Sequence, residues 1–300
     1  MSWWNWLGPA HDMSTLFDVM RRAFMTHREA PFLRTIGKIA KAVMHITAFW
    51  AVGLYQRARV GRKAIMAAPE VPLPWYELWM AVHAVGGTFA KTAPCGVYFE
   101  DTTQATFTAP RGEWLNATCT DIRKSTVAHA FLRAGGAPIS IDPQRSKGMV
   151  VEKSEENGTH SGRLVQAPCT PQKGYVYECF VDTEVDGMIH DFRVVVVRGK
   201  ITCVWEIERP ATLRFADTHD MVRERAVHDV FSQDEQQLIL RTADELGMDI
   251  GDFDVLRDRT TEKIYIVDAN KTSVMPPLAL SFKQRLSAAR RIGEALFGAC

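Results

Sequence analysis

Between residues 13 and 56 the apolar positions recur at helical spacing: Leu16, Val19, Met20 and Phe24, then Ile36, Ile39, Val43 and Ile46. Pro31 separates the two sets, so the pattern predicts two helices. From about residue 61 to 120 the rhythm shortens to "KAIMAAPEVPLP", a helical "WYELWMAVHAVG" and a strand-like "CGVYFED", which together predict a small α/β unit. "TDIRKSTVAHAFLRAGG" then returns to helical spacing. Ser125 is its candidate N-cap, Val127, Ala130 and Phe131 its apolar stripe, and Gly135 and Gly136 its stop. A strand from Pro138 to Ile141 is expected next.

After residue 148 the chain reads mainly as strands: "GMVVEKS" and "GRLV" around a polar loop, then "KGYVYECFV", "HDFRVVVV" and "ITCVWEIERP", with "RGK" as the turn of a hairpin between the last two. "SQDEQQLILRTADELG" is a helix with both ends marked, by a capping box of Ser232 and Glu235 and by Gly247 as its stop. "DFDVLRDRTTEKIYIVDAN" follows as a second hairpin.

The end of that hairpin carries candidate chemistry. Residues two apart share one face of a strand, so Asp268 and Asn270 can address the same object, and the hairpin can bring Asp254 alongside. Three oxygen donors suit a hard cation such as Mg²⁺; the alternative is an Asp-Ala-Asn turn that merely ends the strand. Upstream, Lys153 precedes a polar loop with Gly158 and Gly162, where an ammonium and backbone N–H groups can approach phosphates. An ordinary turn is again the alternative.

A content of 46% hydrophobic and 24% charged residues over 300 positions is that of a globular protein, and the length allows two or more subdomains. The net charge of +1 hides an asymmetry: residues 1–63 hold ten Lys or Arg against Asp12, Asp18 and Glu29. This basic end fits either a solvated helical face or a dock for an anionic surface, and Trp3, Trp4 and Trp6 fit either a membrane interface or the cover of a core or partner subunit. The apolar stretch Val43 to Leu54 is too short to cross a bilayer, and the first residues carry no secretory pattern, so a cytoplasmic protein is expected. Cys95, Cys119, Cys169, Cys179, Cys203 and Cys300 show no metal-type spacing and read as small core residues, not disulfides. No aromatic-interleaved basic pattern points to nucleic acid.

In their order, "DIRKS", the lysine–glycine loop, "YECFV", "HDFRVVV", the capped helix, "DFDVL" and "IYIVDAN" resemble the ATP-grasp superfamily, over about residues 115–295. The resemblance is to carboxylate-amine ligases such as D-alanine:D-alanine ligase, glutathione synthetase and the ribosomal-protein glutamate ligase. It implies an α+β fold in which two α+β subdomains clasp ATP. The expected division is a basic helical region over 1–60, a small α/β unit over 61–120, and an ATP-grasp domain over 121–300 split near 183.

The resemblance also implies roles. Lys124 and Lys153 match phosphate-binding lysines, and Ser154 to Gly162, with Gly158, match the lid over the β and γ phosphates. Glu178 matches the adenine hinge with Phe180 and Val181 as apolar walls; Asp191 matches the ribose acid, with Asp182 as a rival. Asp254, Asp268 and Asn270 match the magnesium ligands, with Mn²⁺ as a possible substitute for Mg²⁺. Small-molecule or peptide carboxylates and amines are the implied substrates, and a homodimer a possible assembly.

Two departures bear on the reaction. Where many of these ligases carry an arginine two residues before the first metal aspartate, this chain has Asp252. Losing such a donor costs about 3–4 kcal/mol of transition-state stabilisation. Arg193, Arg209 and Arg214 are candidate replacements, with Arg209 and Arg214 favoured. After Asn270 come Lys271, placed either against an acidic substrate or in solvent, and Pro276 and Pro277 where a glycine often stands. The expected activity is ATP-dependent carboxylate-amine or carboxylate-thiol ligation. A phosphotransferase on the same fold and a non-catalytic nucleotide-binding or interaction module are the alternatives.

Overall fold

The structure is a computed structural model that describes residues 32–298 apart from 109, 111, 160, 216–220 and 275–278. The helix expected before Pro31, the N-terminal tryptophans and the Pro276–Pro277 pair lie outside the described residues. Helix α1 (Phe32–Val60) leads into strand β1 (Lys63–Pro69), helix α2 (Glu77–Ala84), β2 (Gly87–Phe89), β3 (Gly96–Phe99) and β4 (Trp114–Leu115). These four strands form a parallel sheet in the order β2-β1-β3-β4.

Helix α3 (Lys124–Arg133) starts one residue before Ser125, so Ser125 occupies the first turn and not the cap. Its backbone N–H is instead taken by Glu155 Oε2 at 3.1 Å. The strand expected at 138–141 is reduced to a single bridge from Ser140 to Glu178. Strands β5 (Gly148–Ser154), β6 (Arg163–Ala167) and β7 (Tyr175–Cys179) make a three-stranded antiparallel sheet with β5 central.

The largest sheet takes β8 (Glu184–Val185), β9 (Met188–Val197), β10 (Lys200–Pro210), β11 (Met221–Arg225), β12 (Ile250–Arg257) and β13 (Ile264–Asn270). Its order is β11-β10-β9-β12-β13, all antiparallel, with β8 paired to β9. The expected tight turn joins β9 to β10 with Arg198 at φ 48° and Gly199 at φ 69°. The short helix α4 (Val227–Val230) and the capped helix α5 (Gln233–Leu246) precede β12, and α6 (Phe282–Phe297) ends the described chain. Ser232, Glu235 and a left-handed Gly247 cap α5 as expected from the sequence.

The run Val194–Val197 explains how this sheet is covered on both faces. Val195 and Val197 pack with Trp205 against α2, α6 and the parallel sheet, whereas Val194 and Val196 pack with Phe253 and Val255 against α3 and α5. Alternate residues of one apolar run therefore feed two cores. Further along β9 the first of these faces leaves the core, and Asp191 and Arg193 stand on it. Among the described cysteines, Cys119, Cys169, Cys179 and Cys203 are free, but Cys95 is disulfide-bonded, which corrects the expectation of unpaired thiols throughout.

Candidate nucleotide site

A cavity of about 280 Å³ lies between the three-stranded sheet and the large one. The β12–β13 register sets Asp254 opposite Asp268 and Asp252 opposite Asn270, and the β9–β12 register sets Arg193 opposite Asp254. Directly paired residues in an antiparallel sheet share a face, so the strand ends deliver acids, an amide and an arginine to one wall. Lys124 enters from the start of α3, Lys153 from β5 and Glu178 from β7.

Each acid on this wall has a basic partner. Arg193 donates from Nε to Asp254 Oδ1 at 3.0 Å and from its second nitrogen to Oδ2 at 3.3 Å. Lys124 Nζ lies 3.3 Å from Asp268 Oδ2, Lys153 Nζ lies 2.7 Å from Glu178 Oε2, and Arg209 pairs with Asp191. Burial alone would push the Asp254 carboxyl up, but the Arg193 guanidinium outweighs it and holds the carboxyl low. For Asp268 and Glu178 burial wins and the pKa is raised, despite Lys124 and Lys153. Asp254 chiefly raises the pKa of Arg193, so that guanidinium stays charged.

The loop between β5 and β6 lines the cavity through Gly158, Thr159, Ser161 and Gly162. Gly158, at φ 71°, has a backbone that L side chains rarely adopt, and a Cβ on Gly162 would meet the Phe215 ring at 2.6 Å. Asn157, unremarked in the sequence, ties this loop down: Lys124 Nζ donates to its Oδ1 at 3.0 Å, its Nδ2 donates to the Ala269 carbonyl at 2.8 Å, and its N–H donates to Thr103 Oγ1 at 3.0 Å. No local pattern marks such a residue, because its partners are 33 to 112 positions away. Phe180, Val181, Ile139 and Leu256 provide apolar wall, and the Arg214 guanidinium lies 4.9 Å from the centre of the Phe180 ring. Cys179 also lines the cavity.

Of the residues singled out by sequence, Lys124, Lys153, Gly158, Gly162, Glu178, Phe180, Val181, Asp191, Arg193, Arg209, Arg214, Asp254, Asp268 and Asn270 come together around this one cavity. Ser154 and Asp182 do not reach its wall. Ser154 Oγ accepts from the Glu156 N–H, and Asp182 pairs with Arg259 at 2.8 Å. Lys271 faces neither solvent nor the cavity. It is buried with its ammonium 5.9 Å from the Tyr98 ring centre, and burial lowers its pKa.

The donor set fits a hard divalent cation by its chemistry: the two carboxylates of Asp254 and Asp268 and the amide oxygen of Asn270 are all oxygen donors. The basic set fits the phosphates of a nucleotide, because two ammonium and three guanidinium groups line the same space.

The chain matches no family model and no curated protein. Solved structures resemble it at low identity. The ATP-grasp ligase PsnB complexed with minimal precursor is 10% identical over 78% of this chain and 97% of that one, with a TM-score of 0.49. A RiPP-associated ATP-grasp ligase of Chryseobacterium gregarium, in complex with ADP and a leader and core peptide, is 11% identical over 79% and 97%, with a TM-score of 0.47. A RimK domain ATP-grasp protein from Sphaerobacter thermophilus is 12% identical over 79% and 100%, with a TM-score of 0.46. In another PsnB complex the match spans 62% of that chain. Likenesses at this level say nothing of substrate or activity.

Proposed function

We propose that this chain is an ATP- and Mg²⁺-dependent ligase that activates a substrate carboxylate as an acyl phosphate, which an amine or thiol then captures with loss of phosphate. One observation carries the reading: five basic side chains and three oxygen donors line a single cavity together with a glycine-containing loop. Lys124, Lys153 and the arginines would bind and align the phosphates, Phe180 and Val181 would face the base, and Asp191 would meet the ribose. Asp254, Asp268 and Asn270 would hold Mg²⁺, or Mn²⁺, which when bound supplies charge neutralisation at the phosphates. A small-molecule or peptide carboxylate would be the acid, and the cytoplasm the compartment.

The sequence favoured Arg209 or Arg214, with Arg193 as the third candidate, to meet the reacting carboxylate. Its place on the strand next to β12, directly opposite Asp254, supports Arg193 for that role; the guanidiniums of Arg193, Arg209 and Arg214 all already have a partner, in Asp254, Asp191 and the Phe180 ring respectively. A guanidinium beside the oxygen-donor wall also weakens the phosphotransferase alternative, which rested on the missing arginine at position 252.

The test is thermal unfolding of the wild type and of Asp268→Ala, each with and without Mg²⁺ and ATP, followed by an ADP-release assay over a panel of acids and amines. Ligand at about 100 times its Kd adds roughly 2.7 kcal/mol of stability. A midpoint rise of several degrees that requires Mg²⁺ and disappears in Asp268→Ala is expected, together with acid- and amine-dependent ADP release. No rise at millimolar ATP overturns the nucleotide reading. A phosphorylated product without an amide or thioester overturns the ligase reading alone.

A further inference from the structure

Asp252 shares a face of β12 with Asp254, yet it is 1% exposed and does not line the cavity. Its partner across the strands is Asn270, whose Nδ2 donates to Asp252 Oδ1 at 2.8 Å. The amide nitrogen meets this carboxyl oxygen, and with the Arg193 guanidinium close by the acid is placed to accept and not to donate, so this contact fixes which way the amide faces. Nitrogen turns to Asp252, and the carbonyl oxygen Oδ1 is left on the other side.

That orientation decides what Asn270 can do. A hard cation takes an amide oxygen and rejects an amide nitrogen, and a free amide can present either. Arg193 Nε, 3.8 Å from Asp252 Oδ1, supplies positive charge to the buried acid. Behind the strand end, the Glu77 N–H donates to the Ser273 backbone carbonyl at 2.9 Å, and Ser273 Oγ donates to the Asn270 backbone carbonyl at 3.3 Å, so α2 backs the turn. A buried carboxylate is costly to stability, whereas an apolar side chain of similar volume is not. What only the acid supplies here is an acceptor with a single sense.

We infer that Asp252 is a positioning residue, which holds the Asn270 amide with its oxygen towards the cation site. The inference rests on the Mg²⁺ reading of the cavity. It also accounts for the acid at position 252, with Arg193 on the adjacent strand providing the guanidinium.

The test uses Mn²⁺ alone as the probe, titrated against the full chain and followed by loss of the free-ion electron paramagnetic resonance signal. Wild type, Asp252→Leu, Asn270→Asp and the double variant are compared, with Asp268→Ala as the control that removes a ligand. Replacing a group that orients a metal ligand typically weakens binding about 10- to 100-fold, the loss expected for Asp252→Leu. In the Asn270→Asp background the same change should cost nothing or strengthen binding, because a carboxylate presents oxygen on both arms and no longer needs orienting. Binding by Asp252→Leu within about twofold of wild type, or an equal loss in both backgrounds as a merely structural role requires, overturns the inference. Failure of the wild type itself to bind Mn²⁺ overturns the Mg²⁺ reading as well, which separates the two failures. Should Asp252→Leu not fold, as judged by its circular dichroism melt, Asp252→Ala takes its place in the same comparison.

Discussion

Arg193 and Asp254 face each other on neighbouring antiparallel strands, and the guanidinium holds both oxygens of the carboxylate. The same pairing recurs around the cavity with Lys124 and Asp268, Lys153 and Glu178, and Arg209 and Asp191. The wall is thus largely neutralised by its own side chains. A cation taken by the acids frees the bases, and a polyanion taken by the bases frees the acids, so each ligand should favour the other.

Removing Arg193 tests this exchange. The pair is partly exposed, at 24% and 30% of its side chains, so Arg193→Gln should cost about 1–3 kcal/mol and not the larger loss of a fully buried pair. In exchange, Asp254 becomes available. Millimolar Mg²⁺ without nucleotide should therefore raise the unfolding midpoint of the variant more than that of the wild type. Equal shifts in a calorimetric comparison would count against the exchange.

The Lys153–Glu178 pair is more deeply buried, at 13% and 4% side-chain exposure, and Lys153 also donates to the Val267 carbonyl at 2.8 Å. Lys153→Met leaves the Glu178 carboxylate without its cation and should lower stability in urea by about 3–5 kcal/mol. Adding Glu178→Gln removes the stranded charge, so the double variant should recover most of that loss. A double variant no more stable than Lys153→Met would show that packing, not charge, is lost. Nucleotide affinity should stay low in both variants, because Lys153 is absent from each.

How much of this was legible in the chain depended on how local the information was. The cap of α5 is written in three residues within one helix, and its geometry follows: Ser232 Oγ accepts from the Glu235 N–H, and Gly247 turns left-handed. The β12–β13 hairpin was legible, but the Asp254–Asp268 pairing within it also needs a register shift between Val255 and Asp254, without which Asp254 would stand opposite Val267. Asn157 and the role of Asp252 were not legible, because each is defined by partners on other strands or loops. Lys271 failed for a related reason. A lysine after a strand reads as solvent-facing, and only the neighbouring Tyr98 and the loop after β3 show that it is buried.

Gly247 gives a check on that cap. Its φ is 65°, and a Cβ there would lie 2.2 Å from Thr118 Oγ1. Gly247→Ala should therefore lose about 1–3 kcal/mol, combining left-handed strain with a steric contact. Ser232→Ala removes only one capping hydrogen bond and should lose about 1 kcal/mol. Equal losses in parallel denaturant titrations would mean that the contact with Thr118 relaxes without cost.

Glu77 makes stability depend on pH. It lies on α2, fully buried, and its carboxyl is pushed up to about 8, first by burial and then by the nearby Asp252 charge, with Arg193 opposing. In the unfolded chain the same group titrates near its ordinary value of 4.5. Below pH 4.5 both states hold the proton, and above pH 8 neither does. Between these values the folded state binds a proton that the unfolded state has released, so stability falls as pH rises. The loss across the window is on the order of 3–5 kcal/mol. Glu77→Gln keeps a neutral polar group at every pH and should melt close to the wild type at pH 5. The variant should be several degrees more stable at pH 8.5, with the gap opening between those values. A gap that stays constant from pH 5 to 8.5 would mean that Glu77 keeps the same charge throughout and that the fold accommodates it.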